Sequence, residues 1–229
     1  MATIASDDAA RPTSGVSRLR TYLELVRFSH TVFALPFAVI AALLAASRGI
    51  DPGLMAGALG WLRPATGILL CMVAARTAAM AFNRLVDRTI DAANPRTASR
   101  HLPRGDVGVA EVLGLVVASS AAFIAATLLF LPNWLPLVLS PPVLAWLLGY
   151  SYAKRFTALA HLWLGAALGF APVAAWIALR GQTMLAAPID VLPAALLGAA
   201  VTLWVAGFDV IYACQDASFD AAHGLRSIP

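Results

Sequence analysis

The chain has 229 residues, of which 60% are hydrophobic and 12% charged, with a formal net charge of +4 and a mean hydropathy of +0.79. Soluble domains carry about 25% charged residues, and this chain has too few polar groups to cover a water-facing surface. That excludes an ordinary cytosolic enzyme, a secreted disulfide scaffold and a disordered tail, and leaves an integral membrane protein.

Residues 1–27 are polar and carry Arg11, Arg18, Arg20 and Arg27. They read as a cytoplasmic arm and not as a cleaved signal, because the apolar stretch that follows is long enough to span. Residues 28–229 read as one transmembrane domain. A spanning helix needs about 20 mostly apolar residues. Phe28 to Ser47 supplies the first, and Pro64 to Asn83 the second, interrupted only by Arg76. Val112 to Ala153 holds 42 residues without a charge, too many for one span. Pro132-Asn133 divides it, since proline cannot continue the hydrogen-bond ladder and Asn favours turns. Phe156 to Leu179 and Val191 to Phe208 complete six spans. The fold class is an all-α, polytopic helical bundle. A β-barrel is excluded, because the spans lack period-two alternation and are twice too long. Pro36, Pro141, Pro142 and Pro172 fall inside spans and are expected to kink them. Cys71 and Cys214 lie in or beside apolar stretches and imply no disulfide framework.

Lys and Arg set the orientation. With a cytoplasmic N-terminus, twelve of them fall on the inner side: Arg11, Arg18, Arg20, Arg27, Arg84, Arg88, Arg96, Arg100, Arg104, Lys154, Arg155 and Arg226. Only Arg48, Arg63 and Arg180 fall on the other. The expected location is the inner (cytoplasmic) membrane, with the loops after spans two, four and six in the cytoplasm. The positive charge is spent on topology and phosphate and needs no nucleic-acid partner.

Four constellations carry chemistry. Asn83, Asp87 and Asp91 stand four residues apart at the end of span two, so they share a helix face. Tyr212, Asp216 and Asp220 repeat that spacing at the end of span six, with Asp209 two turns before Asp216. Acids beside a span are costly and usually functional. Two facing Asp pairs suit Mg²⁺, which takes one or two carboxylates plus substrate phosphates. Arg96, Arg100 and Arg104, with Thr97 and Ser99, form a loop of forked donors for phosphate oxygens, and Pro95 is expected to stop the helix before it. Tyr150 to Arg155 ends span four and contains Lys154, the single lysine of the chain. Taken alone, the last two also read as an anionic-lipid-binding loop and an interfacial anchor. His30, His161 and His223 have no metal-ligand spacing, and no GxGxxG, P-loop, CxxC or Ser-His-Asp arrangement is apparent.

Carboxylates for Mg²⁺, basic side chains and an apolar bundle together point to a substrate with a diphosphate head and a hydrocarbon tail. Metal and Arg would stabilise the departing diphosphate, leaving an allylic cation for an electron-rich aromatic ring. In this context Asn83-x-x-x-Asp87-x-x-x-Asp91 and Asp209-x-x-Tyr212-x-x-x-Asp216-x-x-x-Asp220 resemble the two aspartate-rich motifs of the UbiA prenyltransferases. Arg96-Thr97-x-x-Arg100-x-Leu102-Pro103-x-Gly105 resembles the stretch after their first motif, and Tyr150-x-x-x-Lys154 their tyrosine–lysine motif. The resemblance runs from about Tyr22 to Pro229. It implies a Mg²⁺-dependent intramembrane prenyltransferase that moves a polyprenyl chain from its diphosphate to an aromatic acid in quinone biosynthesis.

On that basis Asp87, Asp91, Asp216 and Asp220 are the expected catalytic metal ligands. Asn83, Arg96, Arg100, Tyr150, Lys154, Arg155, Asp209 and Tyr212 are the expected substrate-binding residues, and Arg27 is expected at the acceptor's carboxylate. Two departures bear on the acceptor and the domain. Arg84 stands where the family commonly has Asp, which with Phe28 to Phe37 resembles the futalosine-route menaquinone branch. The acceptor is therefore 4-hydroxybenzoate or a dihydroxynaphthoate. The family has about nine spans against six here, so the domain is expected to be incomplete at its C-terminus. A haem-farnesylating relative finds no support in the residues. A cation-coupled transporter is the reading from another class, but its acids would sit near the midplane.

Overall fold

The computed structural model describes residues 15–26, 33–55 and 60–229. Among these residues there is no strand. The helices are α1 (Gly15–Leu25), α2 (Leu35–Ser47), α3 (Leu62–Val86), α4 (Arg88–Ala93), α5 (Val109–Thr127), α6 (Leu135–Ala153), α7 (Ala160–Ala186), α8 (Leu192–Ala213) and α9 (Ala217–Ala222). Five helical stretches, built on α3, α5, α6, α7 and α8, are long and apolar enough to cross a bilayer. α2 is apolar but has 13 residues; residues 28–32, which complete the expected first span, and Arg27 lie outside the described residues.

Helices are the spanning solution because every backbone N–H and C=O in hydrocarbon must be paired within its segment. α3 packs on α5 and α6, α7 lies between α6 and α8, and α2 rests on α7. Small side chains permit the close approaches. Ala38 and Ala41 of α2 meet Ala175 of α7. At the α7–α8 crossing, a Cβ on Gly169 would stand 2.5 Å from the Gly198 carbonyl oxygen, and one on Gly165 2.2 Å from that of Thr202. Only glycine fits there. Outward-facing Leu43, Val138, Leu203 and Ile211 are exposed, as a lipid-facing surface requires.

The prolines occupy different places in their helices. Pro36 occupies the first turn of α2, where its missing N–H costs nothing. Pro141, Pro142 and Pro172 are inside α6 and α7, yet the non-helical backbone of α7 is at Arg180 (φ −134°, ψ 27°), not at Pro172. Backbone groups on both sides of it have partners outside the helix. Asn133 Nδ2 donates to the carbonyls of Ile177 and Ala178. The Leu179 carbonyl accepts from Asp51 N–H, and the N–H groups of Gln182 and Thr183 donate to the Asp51 carboxylate. Asn133 thus ends the turn between α5 and α6 and also plugs the break in α7. A side chain at Gly181 would collide with it.

These contacts join the connections after α2, α5 and α7 at one end of the bundle. The connections after α3, α6 and α8 meet at the other, where Arg155 reaches Asp87 and Arg96 reaches Asp216. That grouping is the one the charge asymmetry implies.

Candidate functional site

α3 ends at Asp87, whose backbone (φ −92°, ψ 7°) lies outside the helical region. The chain bends there before α4, so Asn83, Asp87 and Asp91 do not share one straight helix. They remain neighbours: Asn83 Nδ2 donates to Asp87 Oδ2 at 2.9 Å, and Asp91 N–H to the Asp87 carbonyl at 2.7 Å. α8 is likewise followed by a 3-10 turn, Cys214–Asp216, before α9 carries Asp220.

α4 stops at Ala93. Asn94, next to Pro95, is extended (φ −89°, ψ 119°), because a following proline disfavours the helical region. The Asn94 side chain then does two jobs. Its Oδ1 accepts from Arg96 N–H, forming a turn, and its Nδ2 donates to Asp216 Oδ1. Thr97 Oγ1 donates to the Asp91 carbonyl and folds the loop back on α4. This turn aims the arginines.

Every aspartate of the two motifs that was expected to hold metal has a basic partner. Arg96 grips Asp216 with both arms of its guanidinium. It also lies 5.6 Å from the centre of the Tyr212 ring, with its Nη1 3.4 Å from the phenol oxygen. Arg100 donates to Asp91 Oδ1 at 2.5 Å, Lys154 to Asp220 at 3.5 Å, and Arg155 to Asp87 at 3.3 Å. Forked arginine donors match carboxylate and phosphate oxygens alike. Arg104 turns outward to Asp106 and does not join this cluster. Burial pushes the Asp87 carboxyl above its usual range, opposed by the hydrogen bonds from Arg155 and Asn83. The hydrogen bond to Asp216 holds the Arg96 guanidinium more firmly charged.

Asp91, Asp216 and Asp220 are buried. Asp91 Oδ2 is enclosed without a hydrogen-bond donor, and Arg84 Nη1 stands 3.9 Å from it. An enclosed carboxylate oxygen with coordination capacity left over fits a hard cation. Among the described residues no three Asp, Glu, His or Cys side chains converge on one point. The acids therefore stand as pairs, enough for an ion whose remaining ligands come from phosphate and water. A cavity of about 180 Å³ opens beside the cluster, lined by Arg84, Arg96, Arg100 and His101 with Glu24 of α1.

Tyr150 is half-buried within electrostatic reach of Asp209, Asp87 and Arg84. Asp209 takes a partner that the sequence did not announce, His161 of α7, which also meets Ser227. A Ser-His-Asp juxtaposition is therefore present in space, although no spacing reveals it. Arg84 and Asn94 were likewise missed as site residues. The one available signal was Asn94 before Pro95, a turn-forming pair.

The UbiA prenyltransferase family matches residues 34–229 of this chain. The chain is 32% identical over 220 residues to a 4-hydroxybenzoate octaprenyltransferase of Methylococcus capsulatus, spanning 94% of this chain and 68% of that protein. It is 30% identical to the enzyme of the same description from Albidiferax ferrireducens, over 95% of this chain and 69% of that one. A UbiA homologue of Aeropyrum pernix, solved in its apo form, superposes with a TM-score of 0.76 at 41% identity, covering 88% of this chain and 69% of the other. A UbiA homologue of Archaeoglobus fulgidus, solved with GPP and Mg²⁺, shares the fold at a TM-score of 0.61 and 24% identity, covering 91% and 68%. The chain belongs to the UbiA prenyltransferase family and is a multi-pass intramembrane prenyltransferase.

Proposed function

We propose that the chain transfers a polyprenyl group from its diphosphate to 4-hydroxybenzoate, with Mg²⁺ held by Asp87, Asp91, Asp216 and Asp220. The observation that carries this reading is the meeting of both aspartate motifs with Arg96, Arg100, Lys154 and Arg155 at one end of the bundle. The acceptor is taken from the relatives described as 4-hydroxybenzoate octaprenyltransferases, and the metal is supported by the homologue solved with GPP and Mg²⁺. When bound, Mg²⁺ supplies positive charge to the leaving diphosphate.

The side chains do the rest. Arg96, Arg100, Lys154 and Arg155 bind the diphosphate oxygens, and Asn83 and Tyr212 orient Asp87 and Arg96. The C–O bond to the diphosphate breaks, prenyl C1 bonds to a ring carbon, and the ring carbon loses its proton. The apolar bundle keeps water from the cation. We place Arg27 at the acceptor carboxylate, and Tyr150 and Asp209 beside the reacting groups.

The test is transfer of a labelled prenyl group to a panel of aromatic acids. Product with 4-hydroxybenzoate is expected. Product with a dihydroxynaphthoate alone would reassign the acceptor, and none with any acid would refute the reading. We place the site on the cytoplasmic face of the inner membrane. Cysteines at Ala92 and Ala222, in a chain lacking Cys71 and Cys214, should be labelled from inside and one at Ala187 from outside. Labelling of Ala92 and Ala222 from opposite faces would rule out a shared site.

A further inference from the structure

His161 is fully buried in the first turn of α7, and the transfer chemistry above makes no use of it. Its Nδ1 is 2.8 Å from Asp209 Oδ2 and its Nε2 is 3.0 Å from Ser227 Oγ. The backbone N–H of Ile228, which can only donate, also points at Nε2 from 3.4 Å. Nε2 therefore presents its lone pair, the ring proton sits on Nδ1, and the imidazole donates to Asp209.

This is not a hydrolytic triad. A serine nucleophile needs an imidazole free to take its proton beside an open chamber. Here the ring is sealed, and its acceptor nitrogen is shared with a backbone donor. The consequence lies at the other end of the ring. Asp209 lies on α8, two turns before Asp216 of the 3-10 turn that follows, its side chain is 21% exposed, and it stands within electrostatic reach of Tyr150, as does Asp87. The ring fixes one of its oxygens, Oδ2. The segment holding Nε2 is also tied to the basic motif, since Arg226 N–H donates to the Lys154 carbonyl and its guanidinium to that of Phe156.

We propose that His161 is a positioning residue for prenyl transfer: its Nδ1–H locks the Asp209 carboxylate in the site, while Ser227 and Ile228 lock the imidazole. The proposal rests on the prenyl-transfer reading.

A double-mutant cycle tests it, with kcat and KM measured for both substrates and melting followed in parallel. His161→Leu should lower kcat on the order of tenfold or more, the scale seen when a hydrogen bond orienting a site ligand is lost. His161→Asn, whose Nδ2 takes the place of the imidazole Nδ1, keeps the donor to Asp209 and should recover most of that loss. In the Asp209→Asn background the His161→Leu change should cost less than about twofold, because groups acting as a unit are not additive. If His161→Leu does not accumulate, His161→Gln, whose amide falls at the Nε2 position beside Ser227 and Ile228 and not at Nδ1, takes its place in the cycle. Equal losses with and without the Asp209 carboxylate, or no recovery with Asn, would overturn the positioning role. A wild-type chain that transfers no prenyl group would instead refute the underlying reading.

Discussion

Asp51, Arg180 and Asp190 lie at one end of the bundle, and Asp87, Asp91, Asp216 and Asp220 at the other. Both groups put charge where water is scarce. At the first end the partners are short and enclosed. The Asp51 carboxylate accepts from two backbone N–H groups and the Thr183 hydroxyl. Arg180 and Asp190 are 8% and 10% exposed, and Asp190 also accepts from Trp176. At the second end the carboxylates are held by long basic side chains that are 23% to 40% exposed, and Asp91 Oδ2 has no donor. The first network is saturated and pairs backbone groups beside the break at Arg180. The second holds its charges with groups that can turn to another anion. The saturated network is a structural device, and the coordination capacity left at Asp91 is what the proposed metal site would use.

The sharpest break in that comparison is Asp190→Ala. It leaves Arg180 enclosed without its carboxylate, and removing one partner of a buried pair costs about 3–5 kcal/mol. Melting in detergent should fall steeply, while activity per folded molecule is retained. A wild-type melting curve would show that the Arg180–Asp190 pair carries no stability. Asp216→Asn should do the reverse. Turnover should drop on the order of a hundredfold, by analogy with lost oxyanion donors, with membrane insertion intact because the apolar spans drive it. An active Asp216→Asn chain would remove the second motif from the chemistry. Asn133→Ala should cost about 1–3 kcal/mol, since it strips donors from two buried carbonyls; unchanged stability would mean water replaces the amide. Arg104→Ala should change stability and turnover least, within about 0.5 kcal/mol, because Arg104 pairs with Asp106 outside the cluster. A large loss of turnover there would extend the site to the outer loop.

The apolar spans were legible because hydrocarbon imposes a length and a composition on each segment. The aspartate motifs were legible as acids recurring every four residues beside a span, whereas the bends at Asp87 and at Cys214–Asp216 were not. Contacts across the bundle leave no such period. Asn133 read as a turn residue, yet its amide serves α7 more than 40 residues away. Arg96 and Lys154 read as phosphate donors, and their carboxylate partners appear only when the chain folds. Pro172 carried the sequence signal for a kink in α7, whereas nothing in the sequence marked the non-helical backbone at Arg180, where Asp51 and Asn133 supply hydrogen bonds. His161 had no visible partner because Asp209 is 48 residues along the chain.

The central claim is that the two aspartate motifs form one Mg²⁺ and diphosphate site. Its most direct test is equilibrium binding of a non-reacting prenyl thiodiphosphate to the membrane-embedded chain, with Mg²⁺ and with EDTA. Tight binding is predicted only with Mg²⁺, lost alike in Asp87→Asn and Asp216→Asn, which sit in different motifs. Equally tight binding in EDTA, or an effect confined to one motif, would contradict it.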